Sequence, residues 1–509
     1  MKKKYLLLLF TIIAFASCIT DDSTYAEGDV EIEISGIEDY YNVVSYSSDK
    51  LDLHPSVQTD LPESDLEYEW SFYKTASSGS ENVAEKISDE KDLSANVYLP
   101  DGTYYYTFAV TSKSTGYRVS KTTTVYVASS LSKGFYVLKE NAEGNSDLDL
   151  YNPDRDEVVS DVITKAQGKA VTGKPRHLDV VCKMAYLDET TDAGAYANLL
   201  SITTEDGDVK WIRALDGQTV KDATSCHYEA VSGEKAYRTV RDDYLGVYYI
   251  TNKGVYTAYA GEYGGIGTFG TVAGDCGSVH AVVMPSTYSV LFWNEESRSI
   301  ASVNSNGYDG TVLSTVSGYA VKNTDYDCLK CGIYTSNETN YWGARVKKAI
   351  FLLQDRSDKS KKVMYLLDVS YSTILREVKI VDPALNFANC DCYAVNSQQA
   401  IIAYGAKDNQ LWAYDFSTDT PSERKITLEG ISSNEKITYL CNKYFNGATV
   451  FDYLIVGTQS GNQYKLYFYN MVGGIPFGEP AFSFGGEGIL RNTDYIDPKI
   501  TTITSIVDD

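Results

Sequence analysis

A chain of 509 residues is too long for one ordinary hydrophobic core, so two or more domains, or one domain joined to a repeat architecture, are expected. Its 45 basic and 69 acidic side chains give a formal charge of −24, a field that repels phosphate backbones and argues against nucleic acid as a partner. Hydrophobic content of 43% and charged content of 22% describe a globular chain, and no stretch after the first residues approaches the run of apolar residues a spanning helix needs.

In chain order, the first element is Met1 to Ser17. Lys2, Lys3 and Lys4 precede an apolar run, Tyr5 to Phe15, that is too short to span a bilayer. Phe15-Ala16-Ser17-Cys18 resembles a bacterial lipoprotein signal, with Phe15 in place of the usual Leu. The resemblance implies that residues 1–17 are a signal peptide and that Cys18 becomes the lipidated N-terminus. Asp21 and Asp22 resemble the acidic export tag that sends Bacteroidota lipoproteins to the outer face of the outer membrane. Residues 18–29 then read as an acidic tether.

Residues 30–128 read as a β-sandwich. Val30 to Ile34 and Leu66 to Phe72 alternate at period two, Asp101-Gly102 is a turn before a strand, and Val119 to Val127 forms the last strand. Trp70 is expected in the core of a central strand and Tyr104 at a tyrosine corner. Tyr68-Glu-Trp70, Gly102-Thr-Tyr104 and Lys121 to Val127 resemble a PKD domain. The family's Asp/Gly-rich turn after the tryptophan is replaced by Ser71-Phe-Tyr-Lys74, which removes support for a calcium role.

Residues 132–509 change texture. Apolar strand pairs with polar turns recur: Phe135 to Leu138 with Leu148 to Tyr151, Leu245 to Ile250 with Gly254 to Tyr256, Ala281 to Met284 with Ser289 to Trp293. Ala349 to Leu353 with Val363 to Leu367, Ala400 to Tyr404 with Gln410 to Tyr414, and Tyr453 to Gly457 with Tyr464 to Tyr469 follow. A spacing of roughly 50 residues and about four strands per unit predict a β-propeller of six to eight blades, with seven the best count, rather than sandwiches in series. Inner strands are expected to be apolar and small. The fold class is therefore all-β: an immunoglobulin/PKD-like sandwich followed by a propeller.

Signal, sandwich and propeller together resemble the PKD-like family lipoproteins of Bacteroidota. The resemblance implies an accessory of loci for outer-membrane nutrient uptake, whose transporter is a TonB-dependent barrel with its lid (SusC/SusD-type).

Chemical motifs are sparse. Cys328-Leu-Lys-Cys331 and Cys390-Asp-Cys392 have knuckle-like spacing, but CxxC with CxC is weak, and buried thiols or one local disulfide fit better. Gly265-Ile-Gly-Thr-Phe-Gly270 has the spacing of a dinucleotide fingerprint, but Thr271 to Gly277 is a poor helix start, so a blade-connecting loop is expected. His177, His227 and His280 are about one repeat apart, near expected inner-strand starts, which makes Arg176, His177 and His280 candidate pocket residues against the simpler reading of inter-blade hydrogen bonding. Tyr341-Trp342, in a polar loop, is the candidate stacking platform; the alternative is that Trp342 caps a blade edge.

No GxSxG elbow and no recurrent axial carboxylate motif is present, so no catalytic residue, metal or cofactor is assigned. The expected function is a non-catalytic, lipid-anchored protein of the outer membrane, facing the cell exterior. It would bind a nutrient glycan or peptide, or dock on the SusC/SusD-like transporter complex, through its propeller face. A surface glycan or peptide hydrolase with axial carboxylates, and a structural or adhesive protein, are the alternatives.

Overall fold

The structure, a computed structural model, describes residues 31–74, 82–241, 246–259, 265–270, 272, 279–286, 289–304, 310–312, 321–368, 374–446 and 450–498. Cys18, Asp21 and Asp22 lie outside these residues. Two compact units are present: Met1–Asn42, Leu51–Ala95 and Thr103–Tyr126 form one, and Val43–Lys50, Asn96–Gly102 and Val127–Asp509 form the other.

The strands of the N-terminal region make the expected sandwich-type pattern. A five-stranded antiparallel sheet runs in the order Tyr40–Ser45, Arg118–Ser129, Gly102–Ser112, Leu66–Tyr73, Glu85–Ser88. Two short pairs accompany it, Glu33–Ser35 with Ser56–Gln58 and Lys50–Leu53 with Leu93–Asn96. Trp70 lies in an interior strand of the sheet and is fully buried. Its ring sits 4.8 Å from that of Phe108, and its indole N–H donates to the Lys91 carbonyl at 3.0 Å, so the one polar atom of the core residue is satisfied. The alternation at Val30 to Ile34 yields a strand of only three residues. Its partner turns away at Thr59, whose hydroxyl accepts the Leu61 N–H at 3.3 Å.

Among the described residues the second unit holds seven antiparallel sheets. In chain order of their first strands, blade two begins at Pro175–Asp188, blade three at Ala236–Arg241 and blade four at Val279–Ser286. Blade five begins at Tyr326–Thr339, blade six at Cys392–Val395 and blade seven at Lys436–Asn446. Blade one is composite: Gly134–Glu140, Ser146–Asn152 and Glu157–Val159 form its outer strands, and the C-terminal strand Ile489–Ile496 is its inner strand. That strand pairs from Gly134 opposite Ile496 to Glu140 opposite Ile489. Successive inner strands touch from blade two through blade seven, and Ile489–Ile496 touches both Lys436–Asn446 and Pro175–Asp188, which closes the ring. The sequence-derived count of seven is the count observed.

Each sheet is apolar on both faces because it is covered on both sides by neighbours. Val181, Trp211 and Tyr249 fill the space between blades two and three. Trp293 and Phe351 fill that between four and five, and Phe135, Phe451 and Phe468 that between seven and one. The hairpins predicted from aliphatic runs are mostly second and third strands of blades.

The inner strands depart from expectation. They are not uniformly apolar and small: Asp179, Arg238, Arg241, Lys330, Asn442 and Lys443 are buried on them. Pairing across blades makes this tolerable. Arg238 meets Asp179 at 2.5 Å, Arg241 donates to the Cys182 carbonyl at 2.6 Å, and Lys443 pairs with Asp494.

Candidate functional site

In a propeller the blades repeat one up-and-down strand order, so the turns joining first to second strands leave the ring on one face. In blades two, five and seven these hairpins are long: Pro175–Asp188 with Ala193–Thr204, Tyr326–Thr339 with Arg345–Asp355, and Lys436–Asn446 with Val450–Ser460. Each carries exposed apolar side chains: Leu187 and Tyr196 in blade two, Tyr341 and Trp342 in blade five, Val450 in blade seven.

The blade-five tip is the most exposed aromatic feature of the described residues. Tyr341 is 93% and Trp342 81% exposed, with ring centroids 5.7 Å apart at 89°. Trp342 is therefore not capping a blade edge. The turn beneath it is built by Asn340, whose side-chain oxygen accepts the Trp342 and Ala344 N–H groups, both at 3.0 Å. Gly343 supplies the left-handed residue the turn requires, at φ 77°. Arg345 braces the hairpin by donating to the Ser336 and Thr335 carbonyls at 2.9 and 3.0 Å, and Lys348 pairs with Glu338 at 2.5 Å. The platform is a pair of rigid rings on an ordered turn, a shape suited to stacking against a sugar or peptide face.

The histidine candidates lie on different elements. Arg176 and His177 sit at a bulge near the start of the blade-two inner strand, with the Arg176 guanidinium 4.8 Å from the centre of the Tyr237 ring. His280 lies on the blade-four inner strand, but its side chain falls outside the described part. His227, expected near an inner-strand start, is instead in the connection between blades two and three.

That connection gathers polar groups the sequence pattern did not expose. Cys226, His227 and Glu234 place one ligand atom each within 4.8 Å of one another. A Glu234 carboxylate oxygen lies 3.0 Å from His227 Nε2 and accepts the Tyr249 hydroxyl at 3.2 Å. Burial pushes the Cys226 thiol up to about 12 and pulls the nearby Lys221 ammonium down to about 8. The signal in the sequence was only Cys-His with a Glu seven residues on, which has no metal-motif spacing.

The two cysteine pairs do not converge. Cys328 and Cys331 face the core between blades four and five, Cys390 that between five and six, and Cys392 that between six and seven. The glycine segment 265–270 is a turn and loop, with no helix among its described residues. Its Ile266 and Gly267 carbonyls accept the Lys221 ammonium, which is a packing role rather than a phosphate cradle. No helix of the described residues is long and apolar enough to cross a membrane.

Residues 18–175 match the PKD-like family. The chain is similar to a quinonprotein alcohol dehydrogenase-like protein from Bacteroides thetaiotaomicron, with 12% identity over 90% of this chain and 96% of that one and a TM-score of 0.50. It also aligns with apo AztD from Citrobacter koseri, at 10% identity, 83% and 98% coverage and a TM-score of 0.33. A third alignment is to the extracellular domain of a hybrid two component system from B. thetaiotaomicron, at 9% identity, 78% and 60% coverage and a TM-score of 0.26. At such identity the first likeness speaks to fold alone. No curated protein matches the sequence.

Proposed function

We propose that this chain is a non-catalytic surface lipoprotein of the outer membrane, anchored through Cys18, whose propeller face binds a nutrient glycan or peptide or docks on a TonB-dependent uptake complex. The observation that carries the proposal is the exposed, perpendicular Tyr341–Trp342 pair on a braced turn, on the face where blades two and seven also present apolar side chains. Aromatic rings give large contact area with few rotors to immobilise, which suits capture of polymers with repeating apolar faces. The matched PKD-like region and the lipoprotein-type N-terminus support a tethered, outward-held module.

The test is binding of the purified chain to arrayed glycans and peptides, with co-purification from membranes as a second arm. Tight binding in either arm that weakens at least tenfold in Tyr341→Ala/Trp342→Ala supports the proposal. A folded chain that touches no glycan, peptide or membrane complex sinks it. Product release from the array, abolished by changing an axial carboxylate, moves the assignment to a hydrolase.

A further inference from the structure

The connection between blades two and three is more ordered than a linker needs to be. On one side, Asp222 accepts the Thr224 N–H at 2.9 Å and the Thr224 hydroxyl at 2.7 Å, and Cys226 offers its carbonyl to Phe269 N–H at 2.8 Å. On the other, Asn252 holds Gly233 and Lys235 through bonds of 3.1 and 2.7 Å. These two clamps, with the His227–Glu234 contact, hold Cys226, His227 and Glu234 together.

The three lie in a shell of aromatic rings. Tyr256 packs edge-on to the His227 ring at 4.6 Å, with Tyr249 and Phe269 at 5.7 and 6.1 Å. The side chains of His227 and Glu234 are 3% and 7% exposed, and Cys226 is fully buried. One imidazole nitrogen is occupied by Glu234; the other, Nδ1, is buried with no hydrogen-bond partner. A buried thiol, a buried imidazole and a buried carboxylate gathered together, with Glu234 seated on the Nε2 side of the ring, are a donor set that an ion between them would satisfy.

We propose that Cys226, His227 and Glu234 form a binding site for a zinc-type divalent cation. Sulfur and nitrogen donors select a borderline-soft metal, whereas calcium and magnesium take oxygen cages. Zinc bonds of about 2.0–2.3 Å put ligand atoms roughly 3.3–3.8 Å apart, so the 4.8 Å cluster needs a contraction of about 1 Å. Tyr249, donating to Glu234, orients the carboxylate from outside the ligand set. A bound ion would cross-link the first and last parts of the connection and pin it between two blades.

The test uses the reduced full chain with zinc alone and, separately, cobalt alone. The expected result is one zinc per chain, a thiolate-to-cobalt charge-transfer band, and at least tenfold weaker binding in Cys226→Ser and His227→Ala. Glu234→Gln should give an intermediate loss, and Cys328→Ser should bind as the parent does. A parent chain with no stoichiometric zinc, or folded Cys226→Ser and His227→Ala variants that retain it, overturns the proposal. Should either variant fail to fold, the cobalt spectrum of the parent decides: a cobalt complex without the thiolate band overturns the site.

Discussion

Arg491 donates to a Glu140 carboxylate oxygen at 2.6 Å across a sequence separation of 351 residues. The two residues stand on the paired strands that complete blade one, so this contact is part of the seam between distant chain segments in that blade. Thr493 adds a second stitch, its hydroxyl donating to the Tyr136 carbonyl at 2.7 Å.

Breaking the seam should have a pH signature. The Arg491 guanidinium holds the Glu140 carboxyl below its ordinary value of 4.5. A depressed carboxylate stabilises the fold above that value, and the contribution is lost as pH falls through the lower, folded value. Arg491→Met is expected to cost about 1 kcal/mol at neutral pH, and the difference from the parent should shrink below about pH 4. Denaturant titrations of both proteins across that range check it; a difference that stays constant with pH would refute the ionic origin.

The buried pair Arg238–Asp179 should behave asymmetrically. Removing one partner strands a charge in the ring, so Asp179→Leu is expected to destabilise by about 3–5 kcal/mol. Arg238→Leu combined with Asp179→Leu should recover much of that loss, because the replacement is apolar on both sides. A double-mutant cycle by chemical unfolding gives the coupling directly, and strict additivity would contradict it.

Gly267→Ala should destabilise by about 2 kcal/mol or more. A Cβ there would stand 2.1 Å from the Ala185 carbonyl oxygen, on a backbone already at φ 63°. Gly270→Ala meets nothing within 4 Å and serves as the control. Thermal melts of the two variants separate a packing glycine from an indifferent one.

Tyr341→Ala and Trp342→Ala should leave unfolding within about 0.5 kcal/mol of the parent, since both side chains stand in solvent. Their effect on ligand capture is expected to reach about 1.4 kcal/mol or more, a tenfold change. Parallel unfolding and binding measurements distinguish this from a structural role, which would move both together.

The hairpins were legible because buried middle strands read as aliphatic runs: Ile350 to Leu353 and Leu454 to Val456 announce themselves. The closing strand did not. Ile489–Ile496 carries Arg491, Asn492, Thr493 and Asp494 in its centre, so its composition resembles a loop, and only the ring geometry gives it a partner. Inner strands were similarly blurred by paired charges, whose compatibility with burial depends on a neighbour some 59 residues away, as for Asp179 and Arg238. Tyr341 and Trp342 were visible as two aromatics in a polar loop. Tyr196 and Val450 were not, because a strand residue's exposure depends on how far its hairpin projects. Cys226, His227 and Glu234 were invisible as a group, since a loop with no repeat brings them together.

The composite blade also sets a timetable. Whether the chain emerges from a ribosome or threads through a membrane pore with its N-terminus leading, six blades can gather before the strand that finishes the first one has appeared. Gly134–Glu140 must wait, with one backbone edge unsatisfied, for a partner some 350 residues behind it. The ring therefore acts as a delayed fastener: the toroid can lock only after nearly the whole polypeptide has passed.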